Sequence, residues 1–180
     1  ARMSISSFEN LISSAERRAL INNDNKTCVR LTDFSGVIPA INGKIELVYE
    51  GEQEGAEQIS YYLISQAIKT LFPEFFPKIE KLEKSDSKGP YEDLLAWFFK
   101  DNQLYIDDCF NDDEYVKTLE SISPLNKIVE KYHPKLIKED KYFMMEFLLW
   151  GLEANKKLNK YRSLEGFEFK DNLGSYISRL

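Results

Sequence analysis

Residues 56–71, with the sequence AEQISYYLISQAIKTL, carry the clearest helical pattern of the chain. Apolar side chains recur there at steps of three and four residues, as on the buried face of an amphipathic helix. This face comprises Ile59, Leu63, Ile64, Ala67, Ile68 and Leu71. Pro73 and Pro77 follow, and proline lacks the amide hydrogen that a helix interior requires. The stretch therefore predicts one amphipathic helix that ends before the prolines.

A second apolar stripe lies nearer the start of the chain. Its members are Phe8, Leu11, Ile12, Ala15 and Ala19. Their spacing predicts a helix with one buried face, and Ser6 followed by Glu9 has the spacing of a capping box near its start. The polar residues 22–25, NNDN, should end this helix, since such side chains compete for backbone hydrogen bonds and favour turns. Thr32 or Asp33 can cap a short helix further on.

Helical periodicity also prevails in the rest of the chain. Helices are predicted at 91–99, 113–122, 124–132 and 140–161, with a short terminal element at 167–180. Residues 44–50 fit a strand or a helix, and a helix is favoured because no partner strand is visible. Charges alternate along 78–88 and a Gly-Pro pair follows, which is typical of a linker. We predict an all-α fold, with a helical domain at 1–77, a linker or exposed excursion at 78–90, and a helical extension at 91–180 packed on the first domain.

Composition limits the classes of function. A chain of 180 residues suits one ordinary domain or two small helical subdomains. The formal net charge of −6 argues against nucleic acid as the main partner, because neutralising phosphates needs a basic excess. No apolar run approaches the roughly 18 residues of a membrane span, so we expect no membrane partner. Cys28 and Cys109 form no Cys-x-x-Cys pattern, which favours a reduced, cytoplasmic protein.

Two patterns that could hold a metal ion are weak. Carboxylates suit hard divalent cations, and five of them are Glu46, Glu50, Glu52, Glu54 and Glu57. Their spacing fits no EF-hand loop, so a charged turn is the favoured interpretation. Glu130-Lys131-Tyr132-His133 matches one element of a di-metal bundle site, which needs two histidines, whereas His133 is the only one. We therefore predict no metal site, and we expect His133 at a helix end.

Three stretches carry a family resemblance. They are the entry Ala1-Arg2-Met3-Ser4, the segment AERRAL at 15–20 and the run GKIELVYEGEQEG at 43–55. Together they resemble the C-terminal region of AAA+ ATPases of the magnesium-chelatase-like group, which is related to the MoxR-type ATPases. The chain has no Gly-x-x-x-x-Gly-Lys-Ser/Thr phosphate loop, since Gly43-Lys44 is followed by Ile45. A start at Ala1, inside a helix-entry motif, favours a fragment of a longer protein.

The resemblance implies that residues 1–77 form an AAA+ lid-type helical domain. It further implies an upstream AAA+ core domain with the phosphate loop, a homo-oligomeric ring, an unidentified protein client, and ATP and Mg²⁺ as cofactors of the longer protein. That protein is expected to be an ATPase with partner-remodelling or metal-insertion-type activity. The fragment itself is expected to be inactive, with no catalytic residue, cofactor or metal of its own.

The resemblance also assigns roles to three arginines. Arg2 is the expected nucleotide-sensing residue, and a guanidinium offers planar donors that suit phosphate oxygens. Arg17 and Arg18 are expected on the polar side of their helix, either solvated or in a contact between subunits. The competing interpretation is a stand-alone helical interaction module without any ATPase relationship. The lid interpretation differs by predicting an apolar or charged face near residues 1–40 that matches an absent domain.

Overall fold

The computed structural model describes residues 2–41, 55–79 and 89–172. The α-helices in these ranges are α1 (Arg2–Asn22), α2 (Ile38–Ile41), α3 (Ala56–Phe75), α4 (Glu92–Phe98), α5 (Asp112–Glu120), α6 (Ser123–Tyr132) and α7 (Lys138–Ala154). A 3₁₀ helix, Leu31–Val37, precedes α2. The strands are β1 (Leu104–Asp107), β2 (Leu158–Arg162) and β3 (Gly166–Asp171). The protein is thus mainly helical, whereas the predictions for 44–50 and for most of the linker fall outside the described residues.

A small antiparallel sheet departs from the all-α prediction. Its strand order is β1-β3-β2, with β3 in the middle. Leu104 and Ile106 of β1 lie opposite Phe169 and Phe167 of β3, and all four side chains are buried. These positions alternate with more exposed ones, which is the period of a half-buried strand. The strands were missed because strands of four to six residues give only a short alternating pattern in the sequence. The strand that pairs with β1 also lies far along the chain.

The predicted helix at 140–161 was too long at its C-terminal end. α7 ends at Ala154, and Lys156 then adopts the left-handed conformation with a φ of 60°. The Lys157 amide donates to the Leu152 carbonyl at 2.8 Å, and the Lys156 amide donates to Glu153 at 2.7 Å. These are the two bonds of a Schellman motif. They turn the chain out of the helix and into β2.

The end predicted for the first helix is confirmed. α1 stops at Asn22, and Asn23 adopts a φ of 56°, a conformation that asparagine tolerates better than most residues. The Asp24 amide donates to the Ala19 carbonyl at 2.9 Å and closes the end of the helix. The polar run 22–25 therefore acts as the stop signal that its composition indicates.

The core is continuous from α3 to β3, and Leu31 of the 3₁₀ helix also belongs to it. Phe72 and Phe76, in and just after α3, belong to the same buried cluster as Leu94 and Phe98 of α4. Pro73 lies inside α3 rather than after it, so the predicted end of this helix was one turn too early. The buried rings of Phe72 and Phe76 on either side of Pro73 hold this last turn against the core. No helix in the described ranges combines the length and apolarity that crossing a bilayer requires.

Candidate functional site: the α1 face and the charged joint

The first half of α1 exposes apolar side chains. Phe8, Ala15 and Ala19 are spaced by seven and four residues and so share one side of the helix. Ala15 and Ala19 are buried, at 3% and 7% exposure, whereas Phe8 is 65% exposed. Ile5, one turn before Phe8, is 59% exposed. The prediction that Phe8 is buried is wrong, because the described elements that pack on this stripe cover only its C-terminal half.

Arg2 begins α1 and is exposed. It lies one helical turn before Ile5, in the exposed first turn of α1. Arg17 is also exposed, in keeping with the expected solvated position. The roles assigned to these two arginines stay predictions.

Arg18 is buried inside the protein, so its predicted position on the polar side of α1 is wrong. Its Nε and Nη2 atoms donate to the two carboxylate oxygens of Asp33 at 3.1 and 3.0 Å, and Nη2 also donates to the Cys28 carbonyl at 2.8 Å. Arg18 follows Ala15 by three residues and therefore lies on the buried side of α1, whereas Arg17 does not. Its side chain is engaged within the chain rather than presented to another subunit.

Asp33 organises the turn that receives Arg18. Its Oδ2 atom accepts the Arg30 amide at 2.8 Å, which closes the start of the 3₁₀ helix. Asp33 therefore sits inside the first turn of the 3₁₀ helix, which begins at Leu31, rather than at its N-cap as the sequence suggested. The same carboxylate neutralises Arg18, so one residue both starts the turn and fixes it to α1.

Arg30 extends this network to α5. Its guanidinium donates to the Phe110 carbonyl at 2.6 Å and to Asp112 at 2.5 Å, and it lies over the Tyr115 ring at 4.1 Å. Burial, followed by the nearby positive charge of Arg18, lowers the pKa of Arg30. Cation–π contact and charge-assisted bonds offset part of the desolvation of this side chain.

Glu146 of α7 completes the network and is fully buried. Its Oε2 atom accepts the Leu31 amide at 2.9 Å and the Tyr115 hydroxyl at 2.7 Å. Its Oε1 atom has no hydrogen-bond partner among the described residues. Burial raises the pKa of Glu146 to about 7, although both hydrogen bonds act in the opposite direction. We call Arg18, Arg30, Asp33, Tyr115 and Glu146 the charged joint.

Sequence reasoning missed most of the charged joint. One signal was available, because Glu146 interrupts the apolar run MMEFLLW at 144–150. A carboxyl group in the middle of such a run must either reach water or find partners in the core. Its partner Leu31 is 115 residues away in the sequence, so no local pattern could identify it.

A small cavity lies between α3 and the β2–β3 hairpin. Its volume is about 340 Å³, and its lining residues are Tyr61, Tyr62, Ser65, Glu153, Lys160, Arg162 and Phe167. Both cations in this lining are paired: Lys160 lies 3.0 Å from Glu153, and Arg162 lies 2.6 Å from Asp108. Lys160 also covers the Trp150 ring at 3.4 Å. Lys160 thus joins the hairpin to α7, whereas Arg162 joins it to Asp108, which directly follows β1.

The remaining candidates that lie among the described residues do not form a chemical site. His133 follows α6 directly, as expected of a helix-end residue, and its Nε2 atom lies 2.7 Å from the Phe75 carbonyl oxygen. Glu57 is exposed on α3, and the other four glutamates of the acidic set lie outside the described residues. In ranges 2–41, 55–79 and 89–172, no group of three or more His, Cys, Asp or Glu side chains could hold a metal ion.

Comparison of the chain with protein-family models, with curated proteins and with solved structures finds no match. The geometry of the described residues therefore defines the molecule as a mainly helical protein with an uncovered helix face at its N-terminal end.

Proposed function

We propose that the chain is the C-terminal helical lid region of a magnesium-chelatase-like AAA+ ATPase. In this role it contributes to ATP sensing and to ring assembly, for partner remodelling or metal-insertion-type activity of the longer protein. The observation that carries the proposal is the uncovered first half of the α1 stripe. Ile5 and Phe8 continue the line of the buried Ala15 and Ala19 beyond the edge of the core.

An apolar helix face that is buried at one end and exposed at the other suits docking onto another domain. Burial of regularly spaced apolar side chains against a partner surface is favourable, because it removes them from water. The lid interpretation requires such a face near residues 1–40, and the partner that it names is an upstream AAA+ core domain. The motifs at 1–4, 15–20 and 43–55 support the same family independently of the packing.

Arg2 is the residue through which this domain would sense nucleotide. It is exposed at the start of the same helix, so docking of α1 would carry its guanidinium towards the core domain. ATP and Mg²⁺ would be held by that core, and Arg2 would donate to phosphate oxygens. Arg17, which is also exposed, is the remaining candidate for a contact between subunits.

A stand-alone interaction module is the second candidate, because an uncovered apolar face also suits a separate protein partner. The two functions differ in whether ATP turnover depends on this chain. A lid predicts that a change at Arg2 alters turnover, whereas a stand-alone module predicts no ATP turnover to alter.

The proposal is tested by ATP turnover of the longer protein that carries this chain, comparing wild type with Arg2→Ala. Loss of charge-assisted hydrogen bonds of about 1.5–3 kcal/mol predicts a fall of roughly tenfold to a hundredfold at saturating ATP. Lys127→Ala, an exposed cation on α6, is the control and should leave turnover unchanged. Equal turnover in Arg2→Ala and wild type, or no turnover in either, would contradict the proposal.

A further inference from the structure

The charged joint connects three parts of the fold through one carboxyl group. Glu146 belongs to α7, the Leu31 amide begins the 3₁₀ helix, and the Tyr115 hydroxyl comes from α5. The 3₁₀ helix is in turn fixed to α1 through the Arg18–Asp33 pair. Glu146 is therefore one of the points at which the N-terminal unit, α1 with the 3₁₀ helix, is held to the C-terminal body, beside the Arg30 contacts with Phe110 and Asp112.

The two oxygens of Glu146 have unequal surroundings. Oε2 receives both donors, at 2.9 and 2.7 Å, while Oε1 is buried without a partner among the described residues. A buried anionic oxygen that faces no donor is costly. A proton on Oε1 removes the charge and leaves both bonds to Oε2 in place. The two donors at Oε2 favour the carboxylate, but the complete burial of Glu146, with an Oε1 atom that receives no donor among the described residues, opposes the charge and is the larger effect.

Charged neighbours face Glu146 from several elements. The charged groups that act on Glu146 directly are Arg30 before the 3₁₀ helix, Asp33 within it and Lys160 from β2. Arg18 from α1 is bound to Asp33, and Tyr115 from α5 is a neutral hydroxyl donor to Glu146. Each cation already has an acidic partner of its own: Asp33 for Arg18, Asp112 for Arg30 and Glu153 for Lys160. Asp33 adds a negative charge that opposes ionisation of Glu146. No cation in this set is reserved for Glu146.

We propose that Glu146 is a proton-dependent latch, which holds the N-terminal unit on the C-terminal body when neutral and loosens it when ionised. The hydrogen bond from the Leu31 amide to Glu146 shows whether the latch is closed. The latch concerns packing within this chain and does not depend on the proposed lid function.

The direction of the pH dependence follows from proton binding. Glu146 has a pKa of about 7 when buried and an ordinary value of 4.5 when exposed to water. Between these values the closed state binds more protons than the open state, so closing is favoured less as pH rises. The free energy of closing becomes less favourable from about pH 4.5 to about pH 7 and is nearly constant at higher pH.

Two measurements on the whole chain test the latch. The first is the carboxyl carbon shift of Glu146 by NMR, which should titrate between about pH 6 and 8. The second is hydrogen exchange of the Leu31 amide, corrected for its intrinsic rate. Protection of this amide should fall roughly tenfold from pH 6 to pH 8, the change expected from one linked proton.

Variants separate the latch from a general effect of pH. Glu146→Gln cannot ionise, so protection of Leu31 should become independent of pH, whereas Glu139→Gln, an exposed change on the same helix, should behave as wild type. If Glu146→Gln does not fold, the wild-type titration alone decides. A Glu146 carboxyl that titrates near its ordinary 4.5, with Leu31 protection constant from pH 6 to 8, would overturn the proposal.

Discussion

Asp33 is the residue on which the N-terminal unit depends most. It receives two bonds from Arg18 and one from the Arg30 amide, so a single carboxylate joins α1 to the 3₁₀ helix. Both members of the Arg18–Asp33 pair are almost completely buried. A buried pair contributes modestly as a pair, but removal of one member leaves the other charged in the core.

Asp33→Asn should therefore destabilise the protein strongly. The substitution keeps the size of the side chain but leaves the Arg18 guanidinium without a counter-charge, at an expected cost of about 3–5 kcal/mol. Urea unfolding measures this loss. Asp101→Asn is a matched control, since Asp101 is exposed with a φ of 58° that asparagine also tolerates, and it should change stability by less than about 0.5 kcal/mol. Equal stability of the two variants would contradict the role assigned to Asp33.

Sequence patterns indicated helix faces better than individual partners. Ala15 and Ala19 are buried as their spacing predicts, but the same spacing places Phe8 in the core, where it is not. Periodicity defines which side of a helix is apolar and says nothing of where the covering elements end. The partners of Arg18 and Glu146 arise from tertiary packing, which a local pattern cannot encode.

At the scale of elements, α3 and α7 approach closely at Gly151. A Cβ atom at this position would lie 1.9 and 2.2 Å from two ring carbons of Phe72. Glycine is the weakest ordinary residue in a helix interior, so its presence in α7 reflects this contact rather than helix propensity. The aromatic ring occupies the space that a side chain would need.

Gly151→Ala should destabilise the protein despite alanine's higher helix propensity. The clash with Phe72 is expected to cost about 1–3 kcal/mol. The higher helix propensity of alanine contributes about 1 kcal/mol in the opposite direction, so the clash outweighs it over most of its range. A double-mutant cycle with Phe72→Leu, followed by thermal unfolding, measures the coupling. The added methyl group should cost less beside leucine than beside phenylalanine. A stabilised Gly151→Ala variant would contradict this account of the contact.

Helices were easier to predict than strands. The helices near 91–99, 113–122 and 124–132 are present, whereas the three strands were not predicted. β1 pairs with β3 across the 58 residues 108–165 that separate the two strands. Sheet formation therefore depends on a distant partner, while each helix forms its backbone hydrogen bonds locally.

At the scale of the whole molecule, the α1 face contrasts with the continuous core. The core joins both halves of the chain, although some large apolar side chains of the body, such as Phe99 and Ile137, are also exposed. Within the described ranges, Ile5 and Phe8 in the first half of α1 are exposed, and Arg2 lies at the start of this helix. This asymmetry is the physical basis of the proposed docking onto an upstream domain.

Amide hydrogen exchange over residues 3–12 tests this docking most directly. It is measured on the chain alone and on the longer protein that carries it. We predict slower exchange in the longer protein, because a domain packed on Ile5 and Phe8 suppresses local opening of this helix end. Phe8→Ser should remove the added protection in the longer protein. Equal exchange of residues 3–12 in the two proteins would contradict the claim that α1 docks onto another domain.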